Sequence, residues 1–414
     1  MRRRSPVAAA SIAIAGVLAA TSSAAATPFT HLSPLTRLKS ASGARGNAAA
    51  GATVVYTFGV VGGDGKMRQL EHSVPTPVSG LPGDVVQVAT SNSDSYALTA
   101  QGMVWAWGAG GLGELGDGQA PRFAGSPVQV RFPPRVRISA LANPMPYNSG
   151  LAIDSHGHAW GWGYNPEDAL CLPGIPVLQP ERLPLPDVSL ATGAGDHSLF
   201  YSEGKVYACG LGWAGELGNG AMRSSPGPTA VAGLPPGRVK ALVSSWQGSG
   251  ALMGSGSYYD WGFNREGQLG DGTTADRDVP VHVSLPAPVT QVSQGGSNAA
   301  NGQTLALLAN GLVWTWGAGE LGQLGNGRLG GSAVPVPLTL PSGVHFVQVC
   351  SGGDTNYAID TLGRLWAWGG NGFGQVGNGT IGMPHLRAVP VGVALSQISA
   401  TATNVVGLSE GLPL

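Results

Sequence analysis

One short frame recurs along this chain: a glycine, five residues that are mostly aromatic or β-branched, and a second glycine that usually follows tryptophan. It runs GMVWAWG from Gly102 to Gly108, GHAWGWG from Gly157, GKVYACG from Gly204, GSYYDWG from Gly256, GLVWTWG from Gly311 and GRLWAWG from Gly363. Residues 54–59, VVYTFG, repeat its second half. Self-similarity about every fifty residues is the mark of a supersecondary unit of four short strands, and seven copies predict seven such units.

Each unit carries four strand signals. The first is a short alternation such as Val85-Val86-Gln87-Val88 and the second a small-plus-aliphatic run such as Tyr96-Ala97-Leu98. The third is the frame, where alternation places Trp105 and Trp107 on one sheet face, ready to bury against a neighbouring unit. The fourth begins at an X-Pro pair, at Pro77, Pro127, Pro180, Pro228, Pro280, Pro337 and Pro390. Proline has no amide donor and belongs at a sheet edge, so the fourth strand is expected on the outer rim. Leu-Gly-Asp-Gly or Leu-Gly-Asn-Gly strings after five frames, starting at Leu115, Leu217, Leu269, Leu324 and (as Val-Gly-Asn-Gly) Val376, read as turn formers. Ala169-Leu170-Cys171-Leu172 departs from that string and predicts a remodelled loop.

Residues 394–411 supply the first two signals of a unit, and residues 53–59 supply the third. Joined, they complete one unit, so the two ends of the chain are expected to pair and close a ring. The expected fold is all-β, a seven-bladed propeller of four-stranded blades over 53–414.

The residues ahead of it are different. Arg2, Arg3 and Arg4, an apolar stretch from Val7 to Ala20 and Ala24-Ala25-Ala26 have the layout of a secretory signal over 1–26, with an uncleaved anchor as the alternative. Residues 27–52 lack periodicity and read as a flexible linker. A secreted or cell-envelope location follows as an expectation. Formal net charge is −1, and cleavage after Ala26 would take it to about −4. With charged residues at 11% and no Lys/Arg cluster past the signal, nucleic acid is not an expected partner. No later stretch has the length of a membrane span.

The string VWTWGAGELGQLGNG from Val313 to Gly327, and LWAWGGNGFGQVGNG from Leu365 to Gly379, resemble the repeat of the regulator of chromosome condensation family. The resemblance implies a seven-bladed propeller, in agreement with the count. Its founding members bind chromatin and catalyse nucleotide exchange on a small nuclear GTPase, and a second branch consists of small secreted bacterial propellers that inhibit β-lactamases. The family's aligned histidine before the second strand is matched only at His197, and no catalytic or exchange-factor residue is carried over.

Motifs for chemistry are missing: there is no nucleophile elbow, zincin helix or phosphate loop. Glycine strings such as Gly110 to Gly113 imitate a dinucleotide fingerprint but recur with the repeat and open no helix. His156 and His158 flank a turn without a third ligand, and Asp64, Asp117 and Asp271 lack the spaced oxygens of a calcium loop, so no metal or cofactor is expected. Cys171, Cys209 and Cys350 are odd in number with no metal-like spacing; Cys209 and Cys350 read as small buried hydrophobes, with a disulfide between two of the three left open.

In an up-and-down blade the loops between strands one and two and between three and four emerge on one face. The longer, more varied loops gather there, the usual arrangement for binding. Tyr147, His197, Trp213 and Trp246 stand in those loops, the two tryptophans outside the frame, and are the candidate partner-binding residues. The expected function is a monomeric, non-catalytic scaffold that recognises a protein or cell-envelope partner. The alternatives are an exchange factor like the founding members, or a hydrolase or lyase using Asp196, His197 and Asp354 in the central mouth.

Overall fold

The structure is a computed structural model that describes residues 53–59, 72–174, 176–296, 302–401 and 404–410. The expected signal segment, the linker, Asp64 and the loop residues 297–301 lie outside them. Among the described residues, twenty-eight strands form seven four-stranded antiparallel sheets, each one blade. In six blades sheet order follows chain order, and the first strands of successive blades lie against one another around the axis.

The remaining blade is built from both ends of the chain. Its order is His72–Pro77, Val54–Gly59, Asn404–Ser409, Gln397–Ala400, with Val54 opposite Ser409 and Phe58 opposite Val405. Pairing the ends satisfies the backbone donors and acceptors that an open ring would leave unpaired on two central strands. All seven proline-bearing strands are outermost, from His72–Pro77 to His385–Ala394.

The two aromatic residues of a frame are not equivalent. Trp107, Trp162, Trp261, Trp316 and Trp368 are fully buried, whereas Trp105, Tyr259 and Trp314 are only partly so. The difference lies in what each ring meets. The second tryptophan wedges into the preceding blade's loop between strands three and four, where its Nε1 donates to a main-chain carbonyl: Trp162 to Glu114 at 3.0 Å, and Trp261, Trp316 and Trp368 to Glu216, Gln268 and Gln323 at 2.9 Å. The glycine of each Leu-Gly string makes room for it. At Gly218, φ is +61° and a Cβ would stand 2.6 Å from Trp261 Nε1; at Gly270, φ is +66° and the distance to Trp316 Nε1 is 2.7 Å. These glycines therefore serve the seam between blades as well as the turn.

One seam is built differently, which corrects the reading of Cys209 as a simple buried hydrophobe. Cys171 and Cys209 form a disulfide, with Cα atoms 5.5 Å apart. Cys209 occupies the frame's tryptophan slot, and Cys171 the slot of the glycine that elsewhere faces that tryptophan. Two features fix the alignment: Asn165 Oδ1 accepts from the Leu170 amide as Asn264 Oδ1 does from Leu269, and Asp168 and Cys171 hold φ of 58° and 55° where Gly267 and Gly270 hold 73° and 66°. The loop predicted to be remodelled thus keeps the backbone course of its siblings, and a covalent bond stands where a ring and a glycine meet elsewhere. Cys350 is buried and stands outside the disulfide.

Candidate partner-binding face

The loops between strands one and two and between three and four share one face, and the candidate residues fall on it unequally. Tyr147 and Trp246 come together. Their ring centroids are 5.2 Å apart at 90°, an edge-to-face contact between loops of the third and fifth blades, counting the closure blade as the first. The fourth blade's short loop lies between them: the Tyr147 amide donates to Gly195 O at 2.8 Å, and Gly195 packs beneath the Trp246 backbone. Gly195 holds φ of +52°, and a Cβ there would collide with Trp246 O.

Three more residues complete this surface. The Tyr164 amide donates to Asn148 O at 2.9 Å, and Ser149 Oγ donates to Tyr164 O, which sets Tyr164 beside the Tyr147 loop. Glu167 sits in the three-residue turn Pro166–Asp168 of the same strand-three loop. Asp196 follows Gly195, and its carbonyl accepts from the Leu211 amide at 2.7 Å. Burial pushes the Asp196 carboxyl up, and the Glu167 charge adds to it. Burial also raises the Tyr147 hydroxyl, with contributions from Asp196 and Tyr164. Asp196, Glu167 and Tyr164 were absent from the expected binding set; the signal for them is only their place in loops that the topology brings together.

Trp213 stands apart from this group, in the fourth blade's loop between strands three and four, with 70% of its surface exposed. The same family of loops exposes Met222, Leu329, Ile381 and Met383. An exposed tryptophan with an exposed methionine on the same loop has the composition of an interaction surface.

His197 is not on the surface. It opens the strand His197–Ser202 and is 0% exposed, because the loop before it is only Gly195 and Asp196. Its Nε2 lies 2.8 Å from Ser249 Oγ, which in turn donates to Glu216 O at 2.8 Å. With the hydroxyl proton directed at that carbonyl, His197 is the donor to Ser249 and carries its proton on Nε2. Desolvation lowers its pKa to about 4, opposed by the Gly248 backbone, so the imidazole is neutral at pH 7. The pair has the atoms of a nucleophile and its base but is sealed from solvent. The third residue of the hydrolase alternative, Asp354, belongs to the seventh blade, three further round the ring, and is not brought to His197. His158 lies 3.0 Å from Asp154 Oδ2, and among the described residues no group of three His, Cys, Asp or Glu is placed to hold a metal.

Beneath the face, a Glu or Gln side chain braces the loop of several blades by accepting the amide two residues earlier: Glu216 from Ala214 at 2.8 Å, Gln268 from Glu266 at 2.9 Å and Gln323 from Leu321 at 2.8 Å. Only an acceptor oxygen is needed, so the carboxylate brings a charge with no use. Burial raises Glu216 to about 7, against its own and the Ala214 backbone bonds. A carboxyl whose folded value exceeds the unfolded one favours folding when protonated. Its contribution is whole below the ordinary value of 4.5 and is lost as pH rises towards 7. Glu216→Gln is expected to raise the melting temperature by about 3 °C at pH 8 and to leave it unchanged at pH 4. Equal melting temperatures of the two proteins at pH 8 would contradict a charged, buried Glu216.

The fold and the seams define a class: a closed seven-bladed propeller in which frame tryptophans fasten four of the blades to loop backbone of the one before. The chain belongs to the regulator of chromosome condensation (RCC1) repeat family. The family's repeat model matches residues 255–300 and 310–359, and a second RCC1 repeat model matches 346–375. The chain is 31% identical over 317 residues to the RCC1 domain-containing protein RUG3, mitochondrial, of Arabidopsis thaliana, covering 72% of this chain and 67% of that protein. It is 29% identical to the ultraviolet-B receptor UVR8 of the same plant, over 73% of this chain and 69% of the receptor. Among solved structures, Prp20p of Saccharomyces cerevisiae, described with its binding properties to Gsp1p and histones, superposes with a TM-score of 0.72 at 20% identity, over 87% of this chain and 92% of that one. These relatives fit a regulator or interaction role for the family.

Proposed function

We propose that this chain is an exported, non-catalytic binding protein whose face of one–two and three–four loops recognises a protein or cell-envelope partner. The observation that carries the reading is the Tyr147–Trp246 pair, two half-buried rings held at a right angle by loops from separate blades, on the face that also exposes Trp213. Rigid aromatic side chains on a closed scaffold give contact area at small entropic cost. The non-catalytic reading is supported by the burial of His197 and Ser249, which leaves that pair no path to a substrate. Export is supported by the basic start and apolar stretch of residues 2–20, and by a disulfide, a bond that persists in oxidising compartments.

The test is capture of partner from cell envelope and culture supernatant by the full-length chain carrying a C-terminal tag. Trp246→Ala is expected to weaken the captured interaction by about 2 kcal/mol, roughly thirtyfold, and Tyr147→Ala by a comparable amount. Unchanged affinity across Ala variants at Tyr147, Trp213 and Trp246 would remove this face from the function, and recovery of the protein only from the cytoplasm would remove export.

A further inference from the structure

We infer that the surface formed by Tyr147, Tyr164, Trp246, Asp196 and Glu167 binds an arginine or lysine side chain of the partner. The inference rests on the face proposed above and assigns the chemistry of what it takes.

Three independent features converge. The first is the ring pair, with centroids 5.2 Å apart, which offers aromatic π-density at the surface from two directions; a cation over such rings gains from about 0.5 kcal/mol at exposed sites to about 2 when desolvated. The second is the pair of carboxylates. Asp196 is half-buried, next to the Gly195 whose carbonyl accepts the Tyr147 amide, Glu167 is exposed within reach of its charge, and neither makes an ion pair among the described residues. The acids Asp117, Asp271 and Asp360, by contrast, each hold an arginine of their own blade at 2.6–2.9 Å. A half-buried carboxylate without a counter-ion is costly, and a partner's cation would relieve that cost at the moment of binding. The third is composition: residues 142–148, 164–174, 195–196 and 245–247, the segments that build the surface, contain no lysine, arginine or histidine. These segments supply no cation of their own.

Arginine suits the arrangement best, because its planar guanidinium stacks on a ring and forks to a carboxylate at once. The seam disulfide keeps the acidic wall in register. Cys171 closes the loop that carries Tyr164 and Glu167 and ties it to the strand Lys205–Gly210, which pairs with the strand that begins next to Asp196.

The experiment uses the full chain labelled with 5-fluorotryptophan, with the Trp246 resonance assigned by Trp246→Phe. The probes are a blocked Gly-Arg-Gly-Arg-Gly peptide and its citrulline counterpart, which has the same shape without the charge. The arginine peptide is expected to move the Trp246 resonance with saturation at millimolar concentration, and the citrulline peptide to leave it in place. An Asp196→Asn, Glu167→Gln double variant, folded as judged by circular dichroism, is expected to bind the arginine peptide about fivefold more weakly. Equal shifts from both peptides, no shift at Trp246, or unchanged affinity in the double variant would each overturn the inference. The captured partner separates the two readings: if Trp246→Ala loses it while the double variant keeps it, the binding face stands and the cation assignment falls; if neither of these nor Tyr147→Ala and Trp213→Ala loses it, both fall.

Discussion

Serine at both Cys171 and Cys209 should destabilise the propeller by about 3 kcal/mol, the loss of a cross-link spanning 38 residues. Reductant should lower the wild-type melting temperature to match and leave the double serine variant unmoved. A more searching result is expected from repair. Because Cys171 holds the glycine slot and Cys209 the tryptophan slot, Cys171→Gly with Cys209→Trp should rebuild the seam used elsewhere. The acceptor is already in position: Cys209 Sγ lies 3.5 Å from Ala169 O, the counterpart of the carbonyls of Glu216 and Gln268 that receive Trp261 and Trp316. Cys209→Trp alone should be worse than the serine variant, since the indole would meet the Cys171 side chain where its siblings meet glycine. The repaired protein should recover more than half of the lost stability and show no response to reductant. Unfolding curves in guanidinium chloride measure all four proteins, and a single-site Cys209→Trp protein as stable as the repaired one would refute the equivalence of the two seams.

Phe58→Ala should cost about 4 kcal/mol. Phe58 is 0% exposed in the strand that closes the ring, edge-on to Tyr357 at 6.1 Å, and a Cβ on Gly377 would stand 2.9 Å from its ring. It therefore takes the frame-tryptophan place in the closure blade, wedged into the preceding one. A chain ending at Ser396 should fare worse still. It would lose Gln397–Ala400 and Asn404–Ser409, leaving Val54–Gly59 with only its outer neighbour and depriving Val85–Thr90 of the Gln397 Oε1 that accepts the Val88 amide at 2.6 Å. Such a chain should unfold without a single sharp transition in thermal denaturation monitored by near-ultraviolet circular dichroism. A truncated protein that melts at the wild-type temperature would show that stability does not depend on pairing the two ends.

The parts of this fold that sequence reading reached are those governed by local period. Alternation within six or seven residues placed Trp107 and its siblings inside, proline marked the rim, and the split signals at residues 53–59 and 394–411 disclosed the closure. What it missed depends on register between blades. Cys171 and Cys209 are unremarkable until the repeats are superposed, when both departures fall on the two halves of one seam. His197 looked like a loop residue because the motif before the second strand varies in length; with only Gly195 and Asp196 in the turn, it becomes the strand's first residue and is enclosed. The meeting of Tyr147 and Trp246, ninety-nine positions apart, follows from the seven-residue loop 142–148 reaching across the two-residue loop of the next blade, a matter of relative loop length rather than of either residue's type.

The seams have a bearing on how such a molecule can change over generations. The indoles of Trp162, Trp261, Trp316 and Trp368 are each received by a peptide carbonyl, a group that every amino acid carries, so the seam bond does not itself fix the residue at that point: Glu and Gln both stand there. Mutations in the loop tips can accumulate without loosening the wheel beneath them. A ring fastened in this way can acquire a new clientele by rewriting one rim, while its inheritance of glycines and tryptophans passes on intact.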